Sequence, residues 1–178
     1  MKNNFREVFF SGVKVGSLAS IFCLIYQVIK YIFEYPFLFT PLADLIFSTL
    51  FLTFIVVLIL KLQIRFDSRY ENFFVAITSC LVASILVCGS LIALHHTLDT
   101  DFKERISDVK IELIREKTAK LEKRIKGNVI SSIDFEQIRK DEIEKYSMLS
   151  LLMIPIKLLP IASFFSLIFA FWVTKKSH

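Results

Sequence analysis

The sequence predicts an all-α integral membrane protein, a four-helix bundle with an extramembrane charged helical hairpin between helices 3 and 4. The chain is 54% hydrophobic and its mean hydropathy is +0.59, values typical of membrane proteins. Only four glycines and four prolines interrupt its 178 residues, which favours long helices over a turn-rich fold. Four apolar runs of about 20 residues each match a hydrocarbon core about 30 Å thick, because a helix rises about 1.5 Å per residue.

The first apolar run predicts a transmembrane helix over residues 13–33. The charged residues before it resemble the start of a signal peptide. However, no small-x-small cleavage signal followed by a soluble domain comes after them. We therefore interpret this run as a retained membrane span.

The second and third runs complete the first predicted unit, residues 1–96. The second predicts a helix over 42–60, for which Thr40 is a suitable N-cap and Pro41 a suitable first residue. The third run predicts a helix over 73–94. Residues 1–96 therefore contain three predicted spans.

The last predicted unit, residues 147–178, consists of the fourth span and a basic tail. The span covers about 148–173 and contains Pro155 and Pro160. Each proline leaves a carbonyl group unpaired one turn earlier in a helix. We therefore expect this helix to bend or to start afresh.

Small residues recur at four-residue spacing in the first and third spans. Such a face lets two helix backbones approach closely. We therefore expect the first and third spans to pack against each other. The predicted packing residues are Gly12, Gly16 and Ser20 on one side and Ala76, Cys80, Ser84 and Cys88 on the other.

The polar insert, residues 97–146, separates the third and fourth spans. It predicts helices over 101–126 and 134–146, because Gly127-Asn128 supplies residue types that end a helix. Asp134 is a suitable N-cap for the second helix. In the insert twelve Lys/Arg residues balance twelve Asp/Glu residues. Nucleic-acid binding needs one dominant sign of charge, so no nucleic-acid partner is predicted.

The first insert helix carries an apolar stripe whose second part is rotated by roughly a quarter turn. Three arrangements remain open: a hairpin packed on itself, a helix that binds a membrane protein or a second copy of this chain, and a helix lying on the membrane. The predicted helices are about 39 Å and about 20 Å long, so the longer one must tilt, break or lie along the membrane. The candidate partner face consists of Phe102, Ile106, Val109, Leu113, Leu121 and Ile125.

Basic residues in the short connections predict the orientation in the bilayer, because they favour the cytoplasmic side. Only Lys30 marks the short link on the opposite side. We therefore predict a bacterial inner (cytoplasmic) membrane protein with both termini in the cytoplasm and residues 97–146 in the periplasm. The residues on the cytoplasmic side are Lys2, Arg6, Lys14, Lys61, Arg65, Arg69, Lys175 and Lys176.

A layer of polar residues is predicted near the outer ends of the spans. Its members are Lys30, Asp44, His95 and Lys157. A charge inside a span is costly unless it pairs or reaches the headgroups. We expect Asp44 to pair with Lys157 or with Lys30. In the alternative, both lysines reach the headgroups and Asp44 interacts with the positive start of its helix.

No motif in the sequence predicts a catalytic residue, a cofactor or a metal. It has no Gly-rich phosphate loop, no Gly-x-Ser-x-Gly and no HExxH. Cys23, Cys80 and Cys88 lie in apolar runs without a CxxC motif, so we expect buried thiols. His95 and His96 are adjacent, and neighbouring helical residues point about 100° apart, so we expect interfacial histidines rather than metal ligands.

These observations favour a non-catalytic accessory or scaffold protein whose insert packs on itself or on a partner. One alternative is a small oligomeric transporter or channel, which needs polar residues along a path through the bundle. Another is a membrane enzyme acting on lipid headgroups. That enzyme would need Asp44, His95 and Lys157 to converge on a pocket.

Three features of the chain support a family resemblance. They are Gly12-Val-Lys-Val-Gly16, the third-span end Leu94-His-His-Thr-Leu-Asp-Thr-Asp-Phe102, and a charged helical insert before a span closed by Lys175-Lys176. With them the chain resembles, over nearly its whole length, the four-pass membrane proteins of Bacteroidetes-type bacteria known as domain of unknown function 4199. The resemblance implies the same topology and no agreed activity. The family's genes often lie near those of membrane-associated glycosyltransferases, which implies a glycosyltransferase-associated subunit as a further alternative.

Overall fold

The chain is all-α in the computed structural model, as predicted, and no strand occurs in the residues that the structure describes, 2–34, 36–62, 64, 66, 68–125 and 133–175. A 3₁₀-helix, Pro36–Phe39, joins the first two α-helices, and a π-helix, Leu94–Leu98, continues the third. The α-helices are α1 (Lys2–Phe33), α2 (Pro41–Lys61), α3 (Arg69–Ala93), α4 (Phe102–Ile125), α5 (Phe135–Glu144), α6 (Met148–Leu152) and α7 (Ile154–Lys175).

Four helical stretches are long and apolar enough to cross a membrane. They are Phe5–Phe33, Pro41–Lys61, Arg69–Leu98 and Met148–Val173. The largest difference from the predicted bounds is at the first helix, which begins at Lys2 rather than at residue 13. The helix extends this far because no glycine or proline precedes Gly12 and because Val8 is buried in the core.

Helices α1 and α3 form the centre of the bundle. They make its most extensive contact, α7 packs on α3, and α2 packs mainly on α1. The shared core includes Val15 from α1, Ile55 from α2, Ala83 from α3 and Phe169 from α7. By contrast, α2 and α7 leave most of their apolar length uncovered within the chain.

Gly12 and Gly16 allow the close approach of α1 to α3. A Cβ atom on Gly12 would lie 2.7 Å from Cβ of Thr78, and one on Gly16 would lie 2.6 Å from the carbonyl oxygen of Ser79. The Ser79 hydroxyl also donates to the carbonyl oxygen of Gly12 at 3.2 Å. Ser20, the third member of the predicted face, is buried and donates to the carbonyl oxygen of Ser17 in its own helix.

The α3 residues that meet these glycines differ from the predicted ones. Val75, Thr78, Ser79 and Val82 contact the glycine face, whereas the predicted face was Ala76, Cys80, Ser84 and Cys88. Ala76 and Cys80 lie one residue, or about 100°, further around the helix than Val75 and Ser79. The four-residue spacing predicts a helix face made of small residues, but it does not show which neighbouring helix that face contacts.

Part of the predicted α3 face meets the fourth span instead. The Cys88 thiol donates to the carbonyl oxygen of Leu151 at 3.1 Å. Cys80 and Ser84 line a cavity of about 210 Å³ together with Leu158 and other residues of α7. The small residues of α3 therefore leave space beside α7, while the valines of α3 fill the space over the glycines.

Stacked aromatic rings join α2 to α1. The centroids of the Tyr26 and Phe47 rings are 3.8 Å apart, and Phe22 stacks on Phe47 at 5.3 Å and on Phe54 at 5.1 Å. Such pairs contribute about 0.5–1.5 kcal/mol each beyond the area that they bury. These rings belong to the contact with α1, which is more extensive than the contact that α2 makes with α3.

The helix starts and the break in the fourth span follow the sequence signals. The Thr40 hydroxyl accepts from the Ala43 N–H with Pro41 at the helix start, and the Asp134 carboxylate accepts from the Gln137 N–H. In the fourth span α6 ends at Leu152, and α7 begins at Ile154 with Pro155 in its first turn. A proline is tolerated in a first turn because the N–H that it lacks would have no partner there. The predicted restart is therefore confirmed.

The insert forms a hairpin in which α4 and α5 pack on each other. The Ser107 hydroxyl donates to the Arg139 carbonyl oxygen at 3.3 Å, and Lys110 pairs with Glu142 at 2.6 Å. Arg139 also pairs with Asp108 across the hairpin at 2.9 Å. Of the three arrangements considered, the structure has the hairpin packed on itself. The predicted turn at Gly127-Asn128 lies outside the described residues.

Candidate functional site at the base of the hairpin

The structure brings together two members of the predicted polar layer, Lys30 and Asp44. The Lys30 ammonium lies 2.7 Å from Oδ1 of Asp44 and 4.7 Å from the centroid of the Tyr26 ring. The Tyr26 hydroxyl donates to the same carboxylate oxygen at 3.5 Å. This is one of the two pairings expected for Asp44, and it joins the end of α1 to the start of α2.

The other two members make no direct contact with this pair among the described residues. Lys157 is exposed on α7, and among the described side chains it forms no ion pair. His95 lies in the π-helix at the end of α3 and is only 1% exposed. No hydrogen bond or ion pair between described residues joins either of them to Asp44. The convergence needed for a headgroup enzyme is therefore absent from the described contacts.

His95 occupies the junction between α3 and the two ends of the hairpin. Its ring lies 5.3 Å from the ring of Phe102, at the start of α4, and 4.6 Å from that of Tyr146, just after α5. The next residue, His96, contacts the Tyr146 carbonyl oxygen through Nε2 at 3.0 Å. Nδ1 of His95 is buried and has no hydrogen-bond partner within the described part of the chain. His95 is therefore buried within the chain, and its expected position at the membrane interface stays a prediction.

A small apolar cluster surrounds this histidine. It comprises buried Phe39, Phe102 and Ile106, with Leu94, Val109 and Tyr146 packed against them. Phe39 belongs to the 3₁₀ link between α1 and α2, so the cluster joins the hairpin to two separate connections of the bundle. Apolar contacts thus hold the base of the hairpin against the end of the bundle at which α1 ends and α2 begins.

The predicted partner face is corrected by this cluster. Its first three residues, Phe102, Ile106 and Val109, pack within the chain and are not available to a partner. Leu113 is half-buried and Leu121 is 48% exposed, while the side chain of Ile125 lies outside the described residues. The physical reason is position, because the first turns of α4 lie directly on the bundle and its far turns do not.

Arg105, which the sequence did not single out, lies over the Phe102 ring and forms a polar clamp with two carboxylates. Its Nε lies 2.9 Å from Oε1 of Glu34, and its two terminal nitrogens bond both carboxylate oxygens of Asp99 at 2.8 and 3.2 Å. The Tyr31 hydroxyl donates to Asp99 at 3.2 Å. The clamp therefore joins the end of α1, the end of the π-helix and the start of α4.

Glu34 adopts a backbone conformation that is unusual for its residue type. Its φ is +41°, in the left-handed region that favours glycine. This conformation ends α1 and costs about 1 kcal/mol or more for a residue with a side chain. Glycine would relieve that strain but would have no carboxylate to bind Arg105. The sequence gives no sign of this clamp, because Glu34 and Arg105 are far apart in the chain and both look like solvated charges.

The clamp predicts a shift in the titration of Asp99. Hydrogen bonds from Arg105 hold the pKa of Asp99 below its ordinary value; burial opposes this effect and Tyr31 adds to it. The stabilisation is therefore fully present above the ordinary aspartate pKa of about 3.9 and is lost as the pH falls through the lowered pKa.

We expect Arg105→Gln to raise the pKa of Asp99, as measured by carboxyl-carbon NMR. Arg105→Lys is the control, because it retains the charge but not the bidentate geometry. An unchanged titration in Arg105→Gln would contradict the clamp.

The arrangement at the base of the hairpin is suited to joining helices. Its charged groups are paired with each other and its aromatic rings are packed. No group of three or more His, Cys, Asp or Glu side chains in the described ranges could hold a metal ion. No protein-family model, curated protein or solved structure matches this chain.

Proposed function

We propose that this chain is a non-catalytic accessory or scaffold protein of a bacterial inner membrane. In this proposal four spans anchor it in the bilayer, and the helical hairpin presents a surface to a partner in the periplasm. The observation that carries the proposal is the contrast between the two parts of the molecule. Large apolar side chains are exposed along the four long helices, whereas the hairpin surface is charged.

The exposed apolar surface supports the membrane location. Leu45 on α2 and Phe164 on α7 are both about two-thirds exposed, and many other large apolar residues of these helices are exposed with them. Soluble monomers rarely expose contiguous apolar patches of more than a few hundred Å². A lipid environment removes this cost. Membership of the four-pass family known as domain of unknown function 4199 is part of the same proposal.

The scaffold role is inferred from how the ionic groups are used. At the base of the hairpin Arg105 pairs with both Asp99 and Glu34, and these ion pairs fix the hairpin on the bundle. The far part of α4 extends beyond the shorter α5, since α4 has 24 residues and α5 has 10. A firmly seated hairpin with an exposed far part is suited to binding another protein.

Cysteine labelling tests the proposed threading. We expect Glu116→Cys, on α4, to react with a membrane-impermeant maleimide in intact spheroplasts. Tyr70→Cys, at the other end of α3, is the matched control and should react only after lysis. The unsubstituted chain measures the background, because Cys23, Cys80 and Cys88 are buried.

The labelling pattern distinguishes the alternatives directly. Protection of Glu116→Cys with labelling of Tyr70→Cys would mean that the chain is threaded in the opposite direction. Recovery of the protein in the soluble fraction, with both cysteines labelled only after lysis, would contradict the membrane location. Either result would exclude a periplasmic scaffold.

A further inference from the structure

One side of the hairpin contains a groove of about 950 Å³ between α4 and α5. Its apolar part is formed by Ile111 and Ala119 of α4 and by Phe135 of α5. Ile111 is buried, and the other two are half-buried. The groove therefore combines an apolar floor with walls from two helices, as a helix-binding groove does.

The two cations that line the groove already have partners. Arg139 pairs with Asp108 at 2.9 Å, and the guanidinium of Arg115 lies 4.9 Å from the centroid of the Phe135 ring. Neither arginine forms an ion pair with the other acidic residues of the groove within the described part of the chain. The two contacts also hold the rim of the groove in place from both helices.

Three other carboxylates line the same groove. Glu112, Glu116 and Glu136 are exposed, and across the described residues none of them takes part in an ion pair. Glu112 and Glu116 are one helical turn apart, or about 6 Å along α4. Glu136 lies on α5, and the four carboxylates that line the groove outnumber its two arginines, so net negative charge flanks the apolar floor on both sides.

We propose that this groove binds a basic amphipathic helix of a partner protein. The inference deepens the proposed scaffold function, on which it rests, by naming the surface and the chemistry of the partner. Apolar side chains of the partner contact Ile111 and Phe135. Its lysine or arginine residues, spaced four apart, pair with Glu112 and Glu116, and a further basic residue pairs with Glu136.

The size of the groove agrees with a helix as the occupant. A helix with short side chains is about 10 Å across, so a volume of about 950 Å³ accommodates a length of about 12 Å, or about two turns. Two turns are enough to place two apolar anchors and a pair of basic residues at i and i+4. A nucleic acid is disfavoured because its phosphates would be repelled by the free carboxylates.

Peptide binding to the whole protein in a neutral detergent tests the proposal. The probe is a synthetic helix of about 15 residues with leucine on one face and lysine on the other. We expect Glu112→Gln/Glu116→Gln/Glu136→Gln to weaken its binding about tenfold at low salt, since three exposed ion pairs are lost. The difference should shrink at high salt, which screens these charges. Asp101→Asn/Asp141→Asn/Glu144→Gln, which removes equal charge elsewhere on the hairpin, should bind like the unsubstituted protein.

Several outcomes would overturn the proposal. Equal binding by the two triple variants would show that the peptide responds to detergent or to overall charge rather than to the groove. Equal binding of a control peptide with glutamate in place of lysine would do the same. A dimer of the protein that the groove variant abolishes would mean that a second copy occupies this surface. These measurements do not depend on the threading, so a wrong orientation in the labelling experiment would leave their result interpretable.

Discussion

Gly16→Leu is expected to lower the free energy of unfolding by about 3 kcal/mol or more. Overpacking a tight interface is costly, and leucine places a large side chain where glycine has none. Even the first atom of the new side chain would lie 2.6 Å from the Ser79 carbonyl oxygen and 2.8 Å from Cβ of Val82. The carbonyl oxygen belongs to the α3 backbone and cannot rotate away. The helices α1 and α3 must therefore separate, although they form the most extensive contact in the bundle.

Denaturation of the purified protein in detergent measures this effect. Gly89→Leu is the matched control, since a Cβ at Gly89 on α3 would meet nothing within 4 Å among the described residues apart from the adjoining part of its own helix. We expect the control to unfold close to the midpoint of the unsubstituted protein and Gly16→Leu to unfold well below it. Equal midpoints for the two variants would show that the close approach of α1 to α3 does not stabilise the bundle.

Phe102→Ala is expected to detach the hairpin from the bundle. Phe102 is 2% exposed and contacts the rings of Tyr31 and His95 as well as the cluster around Phe39. Removing a buried phenylalanine side chain costs about 3–5 kcal/mol. The loss should fall on the seating of α4 rather than on the α1–α3 contact, because Phe102 lies outside that interface.

Hydrogen exchange resolved along the chain distinguishes the two effects. We expect faster exchange in α4 and α5 of Phe102→Ala, with little change in α1 and α3. Leu121→Ala is the control on the same helix, because Leu121 is 48% exposed and exposed positions usually change stability by less than about 0.5 kcal/mol. Unchanged exchange in α4 of Phe102→Ala would mean that other contacts, such as those of Arg105, hold the hairpin.

Much of the architecture was predictable from local signals in the sequence. Apolar run length predicted the four long helices, and residue types at helix starts predicted the caps at Thr40 and Asp134. Pro155 predicted the restart of the fourth span. Each of these features depends on residues close together in the chain, and so a sequence pattern is enough to show it.

The contacts between distant segments were harder to predict. The apolar stripe on α4 indicated that something covers it, but the pattern is the same whether the cover is a partner or Phe39 of the same chain. Arg105 and Glu34 gave no signal because a charged residue near a helix end is usually solvated. The π-helix at His95 was not predicted for a related reason. The rings that pack on His95 come from Phe102 and Tyr146, which lie at the two ends of the hairpin.

The position of Arg105 has a mechanical consequence. Arg105 forms ion pairs with Glu34 at the end of α1 and with Asp99 beyond the end of α3. Helices α1 and α3 form the centre of the bundle. Helix α4 is about 36 Å long, so it acts as a lever arm whose fulcrum lies at this residue. A force applied at the far end of α4 would therefore be transmitted to α1 and α3 together rather than to one of them alone.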